Sequence, residues 1–208
     1  MKSNFRPTLL LILLTDALCA QTYITNVSVA DVVQHRWLHN QTVTISHELI
    51  TDIRPAQQAK IPANAAIVDG EGKYLIPGLI DAHIHFSQAG GLYTRPDAID
   101  LRKYKPYQEE MDWAHDHMEE VLRRYLQNGI TTVMDVGTTI NFLKHRDAFK
   151  DATYAPSIYM SGPLLTTYEP AALSNLGDDG PFSLVKTVED GLKMVQQQLQ
   201  YHPDMIKI

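Results

Sequence analysis

The sequence predicts an α/β fold in which parallel strands alternate with helices, preceded by a small sheet of short strands. Before Gly70, short segments rich in β-branched residues predominate. After Gly70, buried-strand patterns alternate with helical periodicity, and glycine or proline separates several of the segments. Repeated strand–helix units imply a parallel sheet whose functional residues lie at the carboxyl ends of the strands. We therefore expect a β-rich part at residues 21–71 and an α/β part at residues 72–208.

The composition is typical of a globular protein that buries a core. The chain has 208 residues, of which 44% are hydrophobic and 20% charged. It contains one cysteine, which excludes a disulfide scaffold. The formal net charge is −6 and no run of Lys or Arg occurs, so we expect no nucleic-acid partner.

Residues 1–20 have the layout of a secretory signal peptide. Basic residues precede the apolar run Leu9–Leu14, and Ala20 provides a small residue before the expected cleavage point. The apolar run is too short to span a membrane. We therefore expect an exported protein, periplasmic or extracellular, without a stable membrane span after cleavage. The alternative is a lipoprotein signal acylated at Cys19, which Leu18 disfavours because it is not a small residue.

The individual elements follow from local patterns. Strands are predicted at Tyr23–Val29, Thr42–Ile45 and Ile67–Val68, then at Tyr74–Ile80 with a Pro-Gly break, at Ile130–Val136, at Pro156–Met160 and from Met205 to Ile208. Helices are predicted over 111–127, from Thr138 or Thr139 to about Phe149, and after Thr187. The first three strands have too little apolar surface for an independent domain, so we expect them to form a small antiparallel sheet.

The chain contains two His-X-His sequences, and the first is the better candidate for a metal site. Side chains two apart on a strand share a face, so His83 and His85 can reach one ion. His115 and His117 have the same spacing in a helical segment, where side chains two apart diverge by roughly 200°. We expect the second pair, like Gln196–Gln198, to be a solvated helix face.

The segment Pro77–His85 resembles the signature of the amidohydrolase superfamily of metal-dependent hydrolases. Asn128–Gly137 resembles the second strand of their barrel, and Ser161–Pro163 is similar to the end of the third strand in the imidazolonepropionase-like and Xaa-Pro dipeptidase-like branch. The resemblance implies the first half of a (β/α)8 TIM barrel, preceded by strands of a small β-sandwich. It also implies hydrolysis of a carbon–nitrogen bond by a metal-activated water.

The same resemblance assigns a role to Lys207. Met205–Ile208 is similar to the fourth barrel strand of that branch, where a lysine carboxylated by CO2 bridges two divalent metals. Burial favours the neutral amine that such a reaction needs. The alternative is an ordinary lysine that reaches solvent. With His83 and His85 as the other ligands, these donors suit zinc, and manganese, iron or cobalt would fit them as well.

Other residues have supporting roles in this interpretation. Asp81 is expected to orient the histidine pair or to cap its turn, and Asp135 to support the site or to cap the next helix. Tyr168 and Glu169, in the loop after the third strand, are candidate substrate contacts.

The resemblance also places essential groups outside this chain. Two further histidines and the general-base aspartate are expected beyond residue 208, and a complete barrel typically needs about 250 residues. One hypothesis is therefore a fragment of a hydrolase acting on an amide, a dipeptide or a cyclic amide. The other is a truncated, non-catalytic half-barrel that acts as a binding or assembly partner. A homo-oligomer is compatible with both, because half a barrel leaves unpaired sheet edges.

Overall fold

The computed structural model describes residues 21–88 and 102–208, so the predicted signal peptide lies outside the described residues. The chain divides into two compact units, one ending at Pro77 and the other beginning at Gly78. In the described ranges, no helix is both long enough and apolar enough to cross a membrane.

The first unit is a five-stranded sheet. Its strands are β1 (Thr22–Asp31), β2 (Arg36–Ser46), β3 (Leu49–Pro55), β4 (Ala66–Asp69) and β5 (Tyr74–Leu75). The order is β3-β2-β1-β4, and β5 also pairs with β1. Val27, Val29 and Val43 form its small buried core. The sandwich of which this sheet would form a part remains a prediction.

The prediction of a wholly antiparallel sheet is wrong. β1, β2 and β3 form an antiparallel meander, but β4 and β5 run parallel to β1. Two strands intervene between β1 and β4, so the chain has enough length to return and enter the sheet in the same direction.

The second unit confirms the α/β class. Its central sheet has the order β6-β7-β8, and all of its pairings are parallel. The strands are β6 (Leu79–Ile84), β7 (Ile130–Asp135) and β8 (Ser157–Met160), followed by the short parallel pair β9 (Leu164–Thr166) and β10 (Phe182–Leu184). The helices are α1 (Tyr107–Asp116), α2 (Met118–Gln127), α3 (Ile140–Arg146) and α4 (Val188–Leu199).

The helix predicted over 111–127 is interrupted at His117. The backbone there has φ −102° and ψ 12°, and this residue separates α1 from α2. The buried positions of the two helices nevertheless continue one apolar stripe across the break. They are Tyr107, Met111, Ala114, Met118 and Leu122. Because the stripe keeps its phase, periodicity alone could not reveal the interruption.

The fourth strand is shorter than predicted. Met205 pairs with Ser161 in a single parallel bridge, and the carbonyl of Lys207 accepts a hydrogen bond of 3.0 Å from the Leu165 amide. Pro163 has no N–H to donate, so a regular ladder cannot continue between these two contacts. The segment therefore lies beside the end of β8 without forming a longer strand.

The turn after β8 also corrects the prediction for Gln198. This side chain is buried, and its Nε2 donates a 2.8 Å hydrogen bond to the Pro163 carbonyl. Its Oε1 would lie 2.5 Å from a Cβ at position 162, so glycine at this position leaves room for the buried Gln198 side chain.

The core of the second unit lies directly behind the end of β6. Phe86 is 1% exposed and packs against Phe142 and Tyr125. Val133 of β7 and Met111 of α1 belong to the same cluster. The residue that follows His85 is therefore anchored in the core, which fixes the backbone at the carboxyl end of the strand.

Candidate metal centre

The two histidines of β6 lie side by side, as expected for alternate residues of a strand. The ring centroids of His83 and His85 are 5.3 Å apart, and the rings are inclined at 81°. Ile84 between them is buried in the core. His83 is exposed, whereas the side chain of His85 is only 28% exposed. One imidazole therefore stands at the surface and the other is partly enclosed.

The ring of His85 is oriented by groups at the carboxyl end of β7 and just beyond it. Its Nδ1 lies 3.2 Å from the Gly137 carbonyl oxygen and 3.6 Å from Oδ1 of Asp135. The shorter distance is that of a hydrogen bond, and the longer one brings a carboxylate charge close to the ring. With the proton held on Nδ1, the lone pair of Nε2 is free for coordination.

Asp135 is fully buried and joins two chain segments. Its Oδ2 accepts a 2.9 Å hydrogen bond from the Phe86 amide, and its Oδ1 accepts one of 3.2 Å from the Gly137 amide. The carboxylate raises the pKa of His85, burial of the ring opposes this, and the Gly137 carbonyl adds to the increase. Asp135 therefore fixes the end of β6 and makes the imidazole of His85 more basic.

Gly137 is a site residue that the sequence interpretation did not single out. Besides its carbonyl contact, a Cβ at this position would lie 2.9 Å from Cε1 of His85. A side chain here would displace the imidazole. The signal available in the sequence was a glycine immediately after a buried strand, which is too common to identify such a contact.

The other predicted site residues make fewer contacts with the histidine pair. Oδ1 of Asp81 accepts a 3.3 Å hydrogen bond from the His83 amide, a local contact within the strand. Lys207 is partly buried and lies near enough for its charge to act on His85. Tyr168 is 69% exposed and Glu169 is partly buried, and in the described part of the chain neither forms a hydrogen bond or ion pair with the histidine pair.

The donor set fits an incomplete metal centre. In residues 21–88 and 102–208, no group of three or more His, Cys, Asp or Glu side chains is arranged to hold a metal ion. The arrangement that is present consists of two imidazoles, one with its Nδ1 engaged by a carbonyl, and a nearby amine. Two neutral imidazoles are suitable ligands for zinc, and further donors would have to complete the coordination.

Comparison with known proteins identifies the same region. The sequence model of the amidohydrolase family matches residues 74–207. The chain is 29% identical over 85 residues to guanine deaminase of Escherichia coli strain K12, an alignment that covers 38% of this chain and 19% of that protein. It is 35% identical over 68 residues to dihydroorotase of Carboxydothermus hydrogenoformans, covering 33% of this chain and 15% of that protein.

The fold has solved counterparts as well. A prolidase crystallised with N-methylphosphonate-L-proline superposes with a TM-score of 0.65 at 22% identity. That superposition covers 91% of this chain and 46% of the prolidase. The chain thus spans about half the length of this neighbour, and its alignments cover less than a fifth of each curated relative.

Proposed function

The chain belongs to the amidohydrolase family, and we propose that it supplies the first part of the metal centre of a hydrolase that cleaves carbon–nitrogen bonds. The observation that carries this proposal is the environment of the His85 imidazole. Its Nδ1 lies within hydrogen-bond distance of the Gly137 carbonyl oxygen, and the Asp135 carboxylate lies close to the same nitrogen. Metal-bound histidines commonly donate their second N–H to a carbonyl or carboxylate in this way. His83 beside it would be the second ligand.

Lys207 completes the proposed set as a carboxylated lysine. An ammonium group near two imidazoles would repel a cation, whereas a carbamate would replace that positive charge with a negative one. The Lys207 carbonyl accepts a hydrogen bond from Leu165 of β9, and the lysine lies close enough for its charge to act on His85, which supports this assignment. The proposed cofactor is a divalent metal, with zinc favoured by the nitrogen donors and two ions in the complete centre.

When bound, divalent metal ions supply a water nucleophile at neutral pH and polarise a substrate carbonyl. The residues of this chain prepare that chemistry. Asp135 and Gly137 keep the His85 proton on Nδ1, and Phe86 anchors the strand end in the core. Amides, dipeptides and cyclic amides are the proposed substrates, and Tyr168 and Glu169 are proposed substrate contacts in the loop after β9.

Export is part of the proposal. The leader-like pattern of residues 1–20 supports an exported protein, periplasmic or extracellular.

The decisive experiment measures metal in the protein purified with His83→Ala or His85→Ala. We expect the protein as the cell produces it to retain bound metal and to hydrolyse Xaa-Pro dipeptides or N-acyl amino acids, and each variant to lose both. His117→Ala is the matched control, because it removes a histidine of the other His-X-His sequence, at the junction of α1 and α2.

Unchanged metal content in His85→Ala would refute the proposed site. Metal binding without hydrolysis of any amide, dipeptide or cyclic amide would favour the alternative, a non-catalytic binding or assembly partner.

A further inference from the structure

A second histidine cluster lies away from β6. His115 near the end of α1 faces His145 of α3, and Asp179 approaches from the loop between β9 and β10. The side chain of His115 is 19% exposed and its ring stacks on Phe142 at 4.0 Å. The prediction of a solvated face is therefore wrong for His115, because α3 covers that side of α1.

The two imidazoles are close enough to share a proton. Nδ1 of His115 and Nδ1 of His145 are 3.1 Å apart, so one nitrogen must donate and the other accept. On its other side, Nε2 of His115 lies 3.8 Å from Oδ1 of Asp179. Both of these atoms are buried and have no hydrogen-bond partner among the described residues. One proton added to the pair would therefore be attracted by the carboxylate.

Asp179 is itself tied to the start of α1. Its Oδ2 accepts a 2.9 Å hydrogen bond from Gln108, and its backbone carbonyl accepts one of 3.1 Å from the Tyr107 hydroxyl. Asp179 as a whole is 5% exposed. The cluster thus holds three segments together: both ends of α1, α3 and the loop that carries Asp179.

Several other charged groups surround the pair, and among these carboxylates Asp179 is the buried one. On α1, Asp112 accepts a hydrogen bond from Gln108, and Asp116 lies near His145. On α3, Lys144 pairs with Asp178. Arg146 pairs with Asp204 and Asp147, and Lys150 also pairs with Asp147. Burial and the neighbouring His115 lower the pKa of His145, and the Asp116 charge opposes this.

We propose that the His115–His145 pair is an acid-sensitive latch, which holds α1 against α3 while it carries at most one proton and releases α1 when both rings are protonated. With two protons, both Nδ1 atoms become donors and neither can accept. Two positive charges then face each other across 3.1 Å, with one buried carboxylate beside them.

The histidine pair is connected through the hydrophobic core to β6, the strand that carries the metal-ligand candidates. Tyr107, Met111 and Ala114 of α1 belong to the same buried cluster as Phe86, the residue after His85. Loosening α1 would expose that part of the core. The proposal needs no bound metal, so it can be tested independently of the proposed function.

The sign of the pH effect follows from His145. A histidine whose pKa is lowered in the folded state contributes stability that is fully present above its unfolded pKa of about 6.5 and is lost as the pH falls. We therefore expect α1 to loosen below about pH 6.5.

The test measures hydrogen exchange of the α1 amides, expressed as protection relative to intrinsic rates, as the pH is lowered. In wild-type protein, protection of α1 should fall relative to α4, by up to about tenfold per pH unit for each extra proton. In His145→Asn the loss should disappear, because the amide retains a donor near the position of Nδ1 but does not titrate. His117→Asn, on the same segment, should behave like wild type.

Two results would overturn the latch. One is an unchanged acid-dependent loss of α1 protection in His145→Asn. The other comes from wild-type protein alone and does not depend on the variant folding. The ring resonance of His145 should change in two steps as the pH is lowered, because a second proton on the ring 3.1 Å away alters its surroundings. A single-step curve would show that the rings do not sense each other.

Discussion

His83-Ile84-His85 and His115-Asp116-His117 have the same spacing, yet the structure uses the two sequences in opposite ways. In the first, the strand directs both rings to one side, 5.3 Å apart. In the second, His115 packs inward on Phe142, while His117 stacks on Trp113 at 4.3 Å. The strand thus brings one pair of rings together, whereas the helical segment leaves the other two rings with different neighbours.

The comparison also shows that the supporting residues matter as much as the spacing. His85 is oriented by Gly137, 52 residues away in the sequence, and by the buried carboxylate of Asp135. His115 is oriented by His145, 30 residues away, and approached by Asp179. In both places one histidine is backed by a buried carboxylate, so a carboxylate by itself does not identify a metal ligand.

The largest effect is expected when the support of the strand pair is removed. Asp135→Ala leaves the amides of Phe86 and Gly137 without their acceptor, and each loss of a buried partner costs about 1–3 kcal/mol. Loss of the group behind His85 should also weaken metal binding by about 10- to 100-fold. Urea unfolding and metal titration measure the two effects.

The matched control is Asp116→Ala, which removes the exposed carboxylate between His115 and His117. We expect the free energy of unfolding to change by no more than about 0.5 kcal/mol. Equal effects of the two substitutions would mean that Asp135 does not support the strand end in the way the contacts indicate.

A smaller effect is expected at Gly78, which precedes β6. A Cβ there would lie 1.9 Å from Oγ1 of Thr131 on the neighbouring strand, so Gly78→Ala must push the strands apart. We expect a loss of about 1–3 kcal/mol in the free energy of unfolding, together with weaker metal binding by the displaced histidines.

Gly191→Ala on α4 is the control, and we expect it to raise the free energy of unfolding. Its Cβ would meet Val185 at an ordinary 3.5 Å, and alanine is the better helix former by about 1 kcal/mol. Calorimetric unfolding of both variants tests this pair. A loss in both would point to a general intolerance of added methyl groups, with no special demand at Gly78.

How much the sequence could predict depends on whether the determining contacts are local. The shared face of His83 and His85 follows from strand geometry, and the cap at Thr187 is present as predicted, with its side chain accepting from the Asp190 amide. The break at His117 was hidden because the apolar stripe continues through it. The inward position of His115 depends on α3, which no pattern within its own helix reveals.

The smallest predicted effect is the difference in unfolding free energy between substitutions of His115 and of His117. His115→Ala removes a ring stacked on Phe142 and the hydrogen bond to His145, and aromatic pairs of this kind contribute about 0.5–1.5 kcal/mol beyond their buried area. His117→Ala removes a ring that stacks on Trp113 of α1 and whose Nδ1 meets the Trp113 carbonyl, and should cost less than about 0.5 kcal/mol. Unfolding should be measured near pH 8, above the range in which the acid-sensitive contribution is expected. If the two substitutions cost the same, α3 does not hold His115 as the structure shows, and the latch loses its geometric basis.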